Sequence, residues 1–228
     1  MDIKLLYYTP LWVASTAIRK CWASEGNSDT FWACENCGEP LIEEIDNCEQ
    51  GCTANYERTA GTKDKELIYR IGNKFKHAST LEHLNYNFDI DGISRACLQE
   101  LARHRHTSLS VKSSRYTLKE LKDGDQSIIK DLLVKTGNAT VDEYSWQALK
   151  QVQNSLKTNV SNDLAKYCLP EAYKTSLVWT INARSLQNFL SLRTDKAALW
   201  EIRELANAIY KHLPEDHKYL FTEFVKAK

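Results

Sequence analysis

Three arginines, two histidines and a run of hydroxyl side chains fall within fourteen residues: Arg103-His104-Arg105-His106, six residues on, Ser113-Ser114-Arg115-Tyr116. Guanidinium gives planar, two-toothed hydrogen bonding to phosphate oxygens, and hydroxyls with exposed backbone N–H groups complete a cradle. A basic run is more often a solvated face. This one follows a helical pattern and is dense in short polar residues, which favours an anion site. His104, flanked by two cations, is expected to be neutral, because like charge lowers its pKa. Further along, Arg184 and Asn188 lie one helical turn apart and share a face. Asn182 precedes them at an N-cap position. Arg193 closes the same segment. A separate set, Cys34-x2-Cys37-x10-Cys48-x3-Cys52, has the spacing of a four-thiolate structural zinc site, with Gly38 and Gly51 available for tight turns.

Arg-His-Arg-x7-Ser resembles the signature of the flavin-dependent thymidylate synthases. Three further matches follow in family order: His77-Ala78-Ser79-Thr80-Leu81-Glu82-His83, the block from Trp179 through Asn182-Ala183-Arg184-Ser185-Leu186-Gln187-Asn188-Phe189 to Leu190, and Leu192-Arg193 with Trp200-Glu201-Ile202-Arg203. The resemblance covers most of 1–24 and 64–213. It implies reductive methylation of dUMP to dTMP. The carbon donor would be 5,10-methylenetetrahydrofolate, the hydride donor FAD reduced by NADPH, and no enzyme nucleophile would be used. It assigns FAD contacts to Ser79, Arg103, His104, Arg105, Asn182, Arg184 and Asn188. It assigns dUMP contacts to Glu100, Arg103, Val111, Lys112, Ser113, Ser114, Arg115, Lys166 and Arg193, with Arg193 also catalytic. His77 falls in the region expected to stack on the folate ring. The family implies a homotetramer with active sites between subunits; a cytoplasmic location is expected from the cysteine content instead.

Five positions depart from the family pattern. Glu100 stands where Gln is common, Val111 for an acidic residue, Ser114 for Gly, Lys166 for Arg and Ala197 for His. Lys166 keeps a cation but loses the fork. No Pro-Cys-His nucleophile setting exists; Cys97 and Cys168 are read as small core residues. A nucleic-acid-binding module and a same-fold flavoprotein with another pyrimidine substrate are the rival readings.

Composition narrows the classes. The chain has 228 residues, 43% apolar, with 30 basic against 30 acidic side chains. Zero net charge gives no bulk drive toward nucleic acid or membrane surfaces, so an anion site must be local. No apolar run is long enough to span a bilayer. Met1-Asp2-Ile3-Lys4 carries no secretory pattern, and seven cysteines point to reduced thiols.

The elements that must position these residues are α+β: an antiparallel sheet packed with long helices, in one domain over 1–228 with a Cys-rich insertion at 25–63. Ile3, Leu5 and Tyr7 mark a first strand, and Thr9-Pro10 an N-cap with first-turn proline. Helical spacing follows at Ala14, Ala17, Ile18 and Cys21. Another helix is predicted over 64–75, with Leu67, Ile68, Ile71 and Phe75 inward. Ser79-x-x-Glu82 has capping-box spacing. Leu84, Tyr86, Phe88 and Ile90 alternate with polar residues, predicting a strand that Asp91-Gly92 turns. A helix runs from Ile93 into Arg103, others cover 127–136 and 142–157, and a long amphipathic helix from Ala198 stops at Pro214.

Overall fold

A computed structural model describes residues 1–41 and 55–226. In chain order the elements are β1 (Asp2–Tyr8), α1 (Leu11–Cys21), β2 (Phe31–Cys34), β3 (Tyr56–Thr59), α2 (Thr62–Ile68), β4 (Asn85–Ser94), α3 (Arg95–Leu101) and β5 (Thr107–Val111). Short helices α4 (Ser114–Thr117), α5 (Lys119–Asp123) and α6 (Gln126–Asp131) follow. The chain continues through α7 (Ala139–Lys157), α8 (Asn162–Ala165), β6 (Lys174–Asn182), α9 (Ala183–Arg193) and α10 (Trp200–His212). The α+β expectation holds.

The main sheet has the order β1-β4-β6-β5, antiparallel throughout. Period-two alternation sends Tyr86, Phe88 and Ile90 of β4, with Leu177, Trp179 and Ile181 of β6, to one buried face. Residues of α1, α3, α9 and α10 join them in the main core. The other face is polar, and Asn87 Nδ2 donates to Thr180 Oγ1 across β4 and β6 (2.7 Å). A second, smaller core gathers Leu118, Leu121, Leu149, Val152 and Leu156 around Trp146, within 118–173.

Several local expectations need correction. Asp91-Gly92 does not end the strand: β4 runs to Ser94, and the register shifts between Asp91 and Ile93. Gly92, at φ +76°, supplies the left-handed residue of a bulge rather than a hairpin turn. Thr9 is not the cap of α1. Pro10 takes that place, while Thr9 Oγ1 accepts from the Asn85 amide (3.2 Å). The helix predicted over 64–75 runs from Thr62 to Ile68 and then becomes a π-helix over Tyr69–Lys74. The wider turn advances the face, so Phe75 is 62% exposed and Asn73 turns inward. There Asn73 Nδ2 donates to the Leu220 carbonyl (3.0 Å), and Gln187 Nε2 donates to Asn73 Oδ1 (3.1 Å). The turn at Ala78–His83 is a 3₁₀ helix, and Ser79 makes no capping-box bond. Ala198 precedes α10 rather than opening it. Cys97 is buried as expected, but Cys168 is exposed at the end of a 3₁₀ turn.

In the insertion, β2 and β3 pair antiparallel, Phe31 opposite Thr59 and Cys34 opposite Tyr56. Its base is tied to the main body. Asp64, fully buried, accepts from Arg19 Nε (2.6 Å), Ser28 Oγ (2.6 Å) and Thr30 Oγ1 (2.8 Å). Asp29 reaches across to accept the Lys63 and Asp64 amides, satisfying the first turn of α2 from a distant loop.

Candidate active site

Two strand-to-helix junctions build the site. At the first, Ser94 caps α3: its hydroxyl accepts from the Cys97 amide (3.0 Å). The same hydroxyl also donates to the buried carboxylate of Glu201 from α10. The Ser94 amide donates to that carboxylate too (2.7 Å). This fixes α3, and the chain emerging from its C-terminus carries Arg103, His104, Arg105 and His106. At the second, Asn182 caps α9, its Oδ1 accepting from the Ser185 amide (2.9 Å), as its position suggested. The helix then presents Arg184, Asn188 and, as its last residue, Arg193. A cation at a helix C-terminus is favoured by the helix dipole.

Between the junctions lies a cleft with two lobes. One, of about 720 Å³, is lined by Glu100, Arg103, Asn188, Leu192, Arg193 and Lys226, among others. The second, of about 500 Å³, is lined by Glu82, Asn182, Arg184 and Ser185. His104, Arg105, His106 and Asn188 line both, so the lobes are continuous.

At the centre, Arg193 Nη1 donates to Glu100 Oε2 (2.6 Å) and Nη2 to the Glu100 carbonyl (3.2 Å). Arg193 Nε donates to His104 Nε2 (3.0 Å). Acceptance at Nε2 places the neutral ring's proton on Nδ1. His104 is lowered to about 4, first by burial and then by the charge of Arg193, with Glu100 opposing. The expected neutrality is correct, but burial rather than the flanking arginines is its main cause. The ring packs edge-on against Phe189, with centroids 5.0 Å apart. Arg184 Nη1 pairs with Glu82 Oε1 (2.7 Å) at the far lobe.

The structure thus brings together Glu100, Arg103, His104, Arg105, Asn182, Arg184, Asn188 and Arg193. It does not bring the other expected residues to them within one chain. Ser79 is exposed outside the cleft. Val111, Lys112, Ser113 and Arg115 lie exposed at the end of β5 and on α4, with Ser114 half-buried among them. Lys112 Nζ is paired with Glu120 (2.8 Å), and Arg115 Nε with Asp163 (2.8 Å). The ammonium of Lys166 sits over the Tyr167 ring, 5.8 Å from its centroid. The sequence pattern does not mark Glu82 as a site residue, although it stands inside a family motif, and it marks His106 only as part of the basic run. A carboxylate is legible as an arginine partner only once the elements are docked.

Of the proposed zinc ligands, Cys34 is buried and Cys37 half-buried, in a turn where the Gly38 amide donates to the Cys34 carbonyl (2.8 Å) and Gly38 takes φ +76°. Cys48 and Cys52 lie outside the described residues, and no metal-ligand cluster occurs among the described ones.

The site is thus an arginine-lined, histidine-centred cleft at the helix junctions of a four-stranded antiparallel sheet, a lining chemically suited to an anionic ligand. The family model described as thymidylate synthase complementing protein matches residues 4–217. The chain belongs to this family, the flavin-dependent thymidylate synthases. It is 54% identical over 227 residues to the flavin-dependent thymidylate synthase of Campylobacter jejuni, covering 97% of this chain and 96% of that one. The enzyme of the same name from Wolinella succinogenes is 51% identical, with 97% of each chain covered. The crystal structure of thymidylate synthase X from Helicobacter pylori with FAD and dUMP matches with a TM-score of 0.82 at 45% identity, over 100% of both chains. No helix among the described residues is long and apolar enough to cross a membrane.

Proposed function

We propose that this chain converts dUMP to dTMP in the cleft between α3 and α9, taking its carbon from 5,10-methylenetetrahydrofolate and its reducing equivalents from NADPH through FAD. The observation that carries the reading is Arg193 beside His104 and Arg105 in one cleft, in a chain alike over its whole length to an enzyme solved with FAD and dUMP.

The residues present fit FAD. The cleft volume suits a ligand of that size. Arg103, Arg105 and Arg184 provide cations for a pyrophosphate, and α9 points its N-terminus into the second lobe. Neutral His104, held edge-on by Phe189, offers a flat polar ring to a flavin without repelling it. Asn182, Arg184 and Asn188 would orient the dinucleotide. Bound and reduced, FAD supplies the hydride. Ser79 and His77 belong to the proposed outer wall, His77 near the folate ring.

Arg193 is the proposed catalytic residue. A permanent cation beside uracil N3 stabilises the N3 anion and so lowers that pKa, leaving C5 electron-rich enough to attack a methylene carbon. Orientation does the rest, with no enzyme nucleophile. Cys97 suits this reading, because burial pushes its thiol well above the usual range.

The dUMP phosphate is assigned to Lys112, Ser113, Ser114 and Arg115, with Lys166 nearby and Val111 serving through its backbone. Since these residues sit outside the cleft of their own chain, a homotetramer with sites between subunits is proposed: the 111–115 stretch of one copy completes the cleft of another. In this reading 1–228 is one catalytic domain in the cytoplasm, interrupted at 25–63. A structural zinc at Cys34, Cys37, Cys48 and Cys52 is proposed from their spacing, and the Cys34–Gly38 turn fits two thiolates on one metal. Well under one zinc per chain in untagged protein removes it.

The test of the activity is direct. Purified protein given FAD, dUMP, methylenetetrahydrofolate and NADPH is expected to form dTMP; no dTMP refutes the proposal.

A further inference from the structure

We propose that Glu100 is a positioning residue for Arg193, clamping its guanidinium and, by its negative charge, raising the pH at which the bound pyrimidine loses its N3 proton. The inference rests on the proposed function, in which Arg193 meets the uracil ring.

All three guanidinium nitrogens of Arg193 are engaged within the chain. Glu100 takes the two terminal nitrogens, one through its carboxylate and one through its main-chain carbonyl. His104 takes the third. One N–H on each terminal nitrogen is left for a ligand. The fork is therefore aimed before anything binds, which saves the ordering cost of a long side chain.

The clamp has an electrostatic consequence. Arg193 is 16% exposed and Glu100 36%, so their interaction is only partly screened. A cation acting alone beside N3 stabilises the anion fully, whereas one paired at 2.6 Å with a carboxylate presents a dipole and stabilises it less. The resemblance places an amide at this position. An amide would hold the same terminal nitrogen without subtracting charge, so the carboxylate departs from the family pattern in the charge it adds.

Other charges face the pair. From its own segment come Arg103, Arg105, His104 and His106; from beyond α9 come Asp195 and Lys226, which pair with each other. Behind it lie Cys97 and the buried Glu201, the latter held by Ser94. Neutral His104 adds no charge, and the Asp195–Lys226 pair largely cancels. Glu100 is thus the negative charge in direct contact with Arg193.

The test uses FAD-loaded enzyme and dUMP labelled with carbon-13 at C4, whose NMR shift moves when N3 ionises, together with steady-state turnover. For Glu100→Gln, the ionisation midpoint of bound dUMP should fall by about one pH unit, with turnover on the acid limb rising roughly tenfold. A change in KM for dUMP with no shifted midpoint would point to the dUMP contact that the resemblance assigns to Glu100 and would overturn the inference. Glu100→Ala also removes the side-chain half of the clamp, leaving only the main-chain carbonyl. It should lose at least about tenfold in turnover, and the Gln variant should restore it. Coincident midpoints for wild type and Glu100→Gln would overturn the inference, as would a loss of turnover in Glu100→Gln with no shift, which would instead make the carboxylate a proton acceptor. Failure of wild-type enzyme to bind dUMP at all would remove the underlying function, and that binding is measured first.

Discussion

The two cationic clusters of this chain are built in opposite ways. The 103–106 and 184–193 cluster stands on capped helices seated against the central strands β4 and β6. Its key guanidinium is mostly buried and engaged at all three nitrogens. The 112–115 cluster stands at the end of edge strand β5 and on a four-residue helix, exposed, with single surface ion pairs. The first is fixed by its own fold. Exposed pairs of the second kind contribute about 1 kcal/mol or less and exchange readily for a better anion. Rigid architecture under one set of arginines and an accessible second set is the contrast that the proposed sharing of sites between copies requires.

Removing a charge from each cluster should separate their roles. Arg193→Ala is expected to lower turnover by about a thousandfold while FAD stays bound, because it acts on charge developing in the reaction. Arg115→Ala should act mainly on dUMP, raising KM by about ten- to a hundredfold. Steady-state kinetics with flavin absorbance checks both. Equal effects on KM from the two variants would erase the distinction.

A smaller effect concerns the scaffold. His217, fully buried, shares a hydrogen bond between Nδ1 and the hydroxyl of Tyr86 (2.8 Å). It is lowered from 6.5 to about 4, chiefly by burial, with Asp216 opposing and Lys65 adding to the shift. A depressed histidine leaves the unfolded chain binding the proton first. Stability should therefore be greatest above pH 6.5, fall as pH drops toward about 4, and lose no more from this group below that. The full loss is about 3 kcal/mol. Denaturant unfolding across this range should show it, and His217→Gln should flatten the slope. His104 acts in the same direction. Smallest of all, Cys168→Ser should leave turnover within about twofold, since that thiol is exposed and away from the cleft.

The rigid cluster was legible in the sequence and the accessible one only partly so. The alternation through Phe88 and Ile90, the Asn182 cap and the stop at Pro214 are local signals, and each survives folding. The bulge at Gly92 and the π-turn before Phe75 are not local: both are resolved by what the backbone packs against. The Asp91-Gly92 pair reads as a turn until β6 is seen to continue the ladder on its far side. The exposure of Cys168 and the pairing of Glu100 and Glu82 with arginines likewise depend on docking between elements distant in sequence. The likeness to family motifs named the site residues, but only the folded chain shows that they fall into two separate places.

Subunit complementation tests that separation most directly. Arg193→Ala and Arg115→Ala chains are co-expressed and assayed for dTMP at dUMP well below the KM of the Arg115→Ala chain, where each alone turns over slowly. If one copy completes the cleft of another, about a quarter of the sites in mixed assemblies carry both arginines, and activity should exceed either parent severalfold. Activity no greater than that of the parents would mean that each chain supplies both clusters to its own site, and would contradict the sharing of clusters between copies.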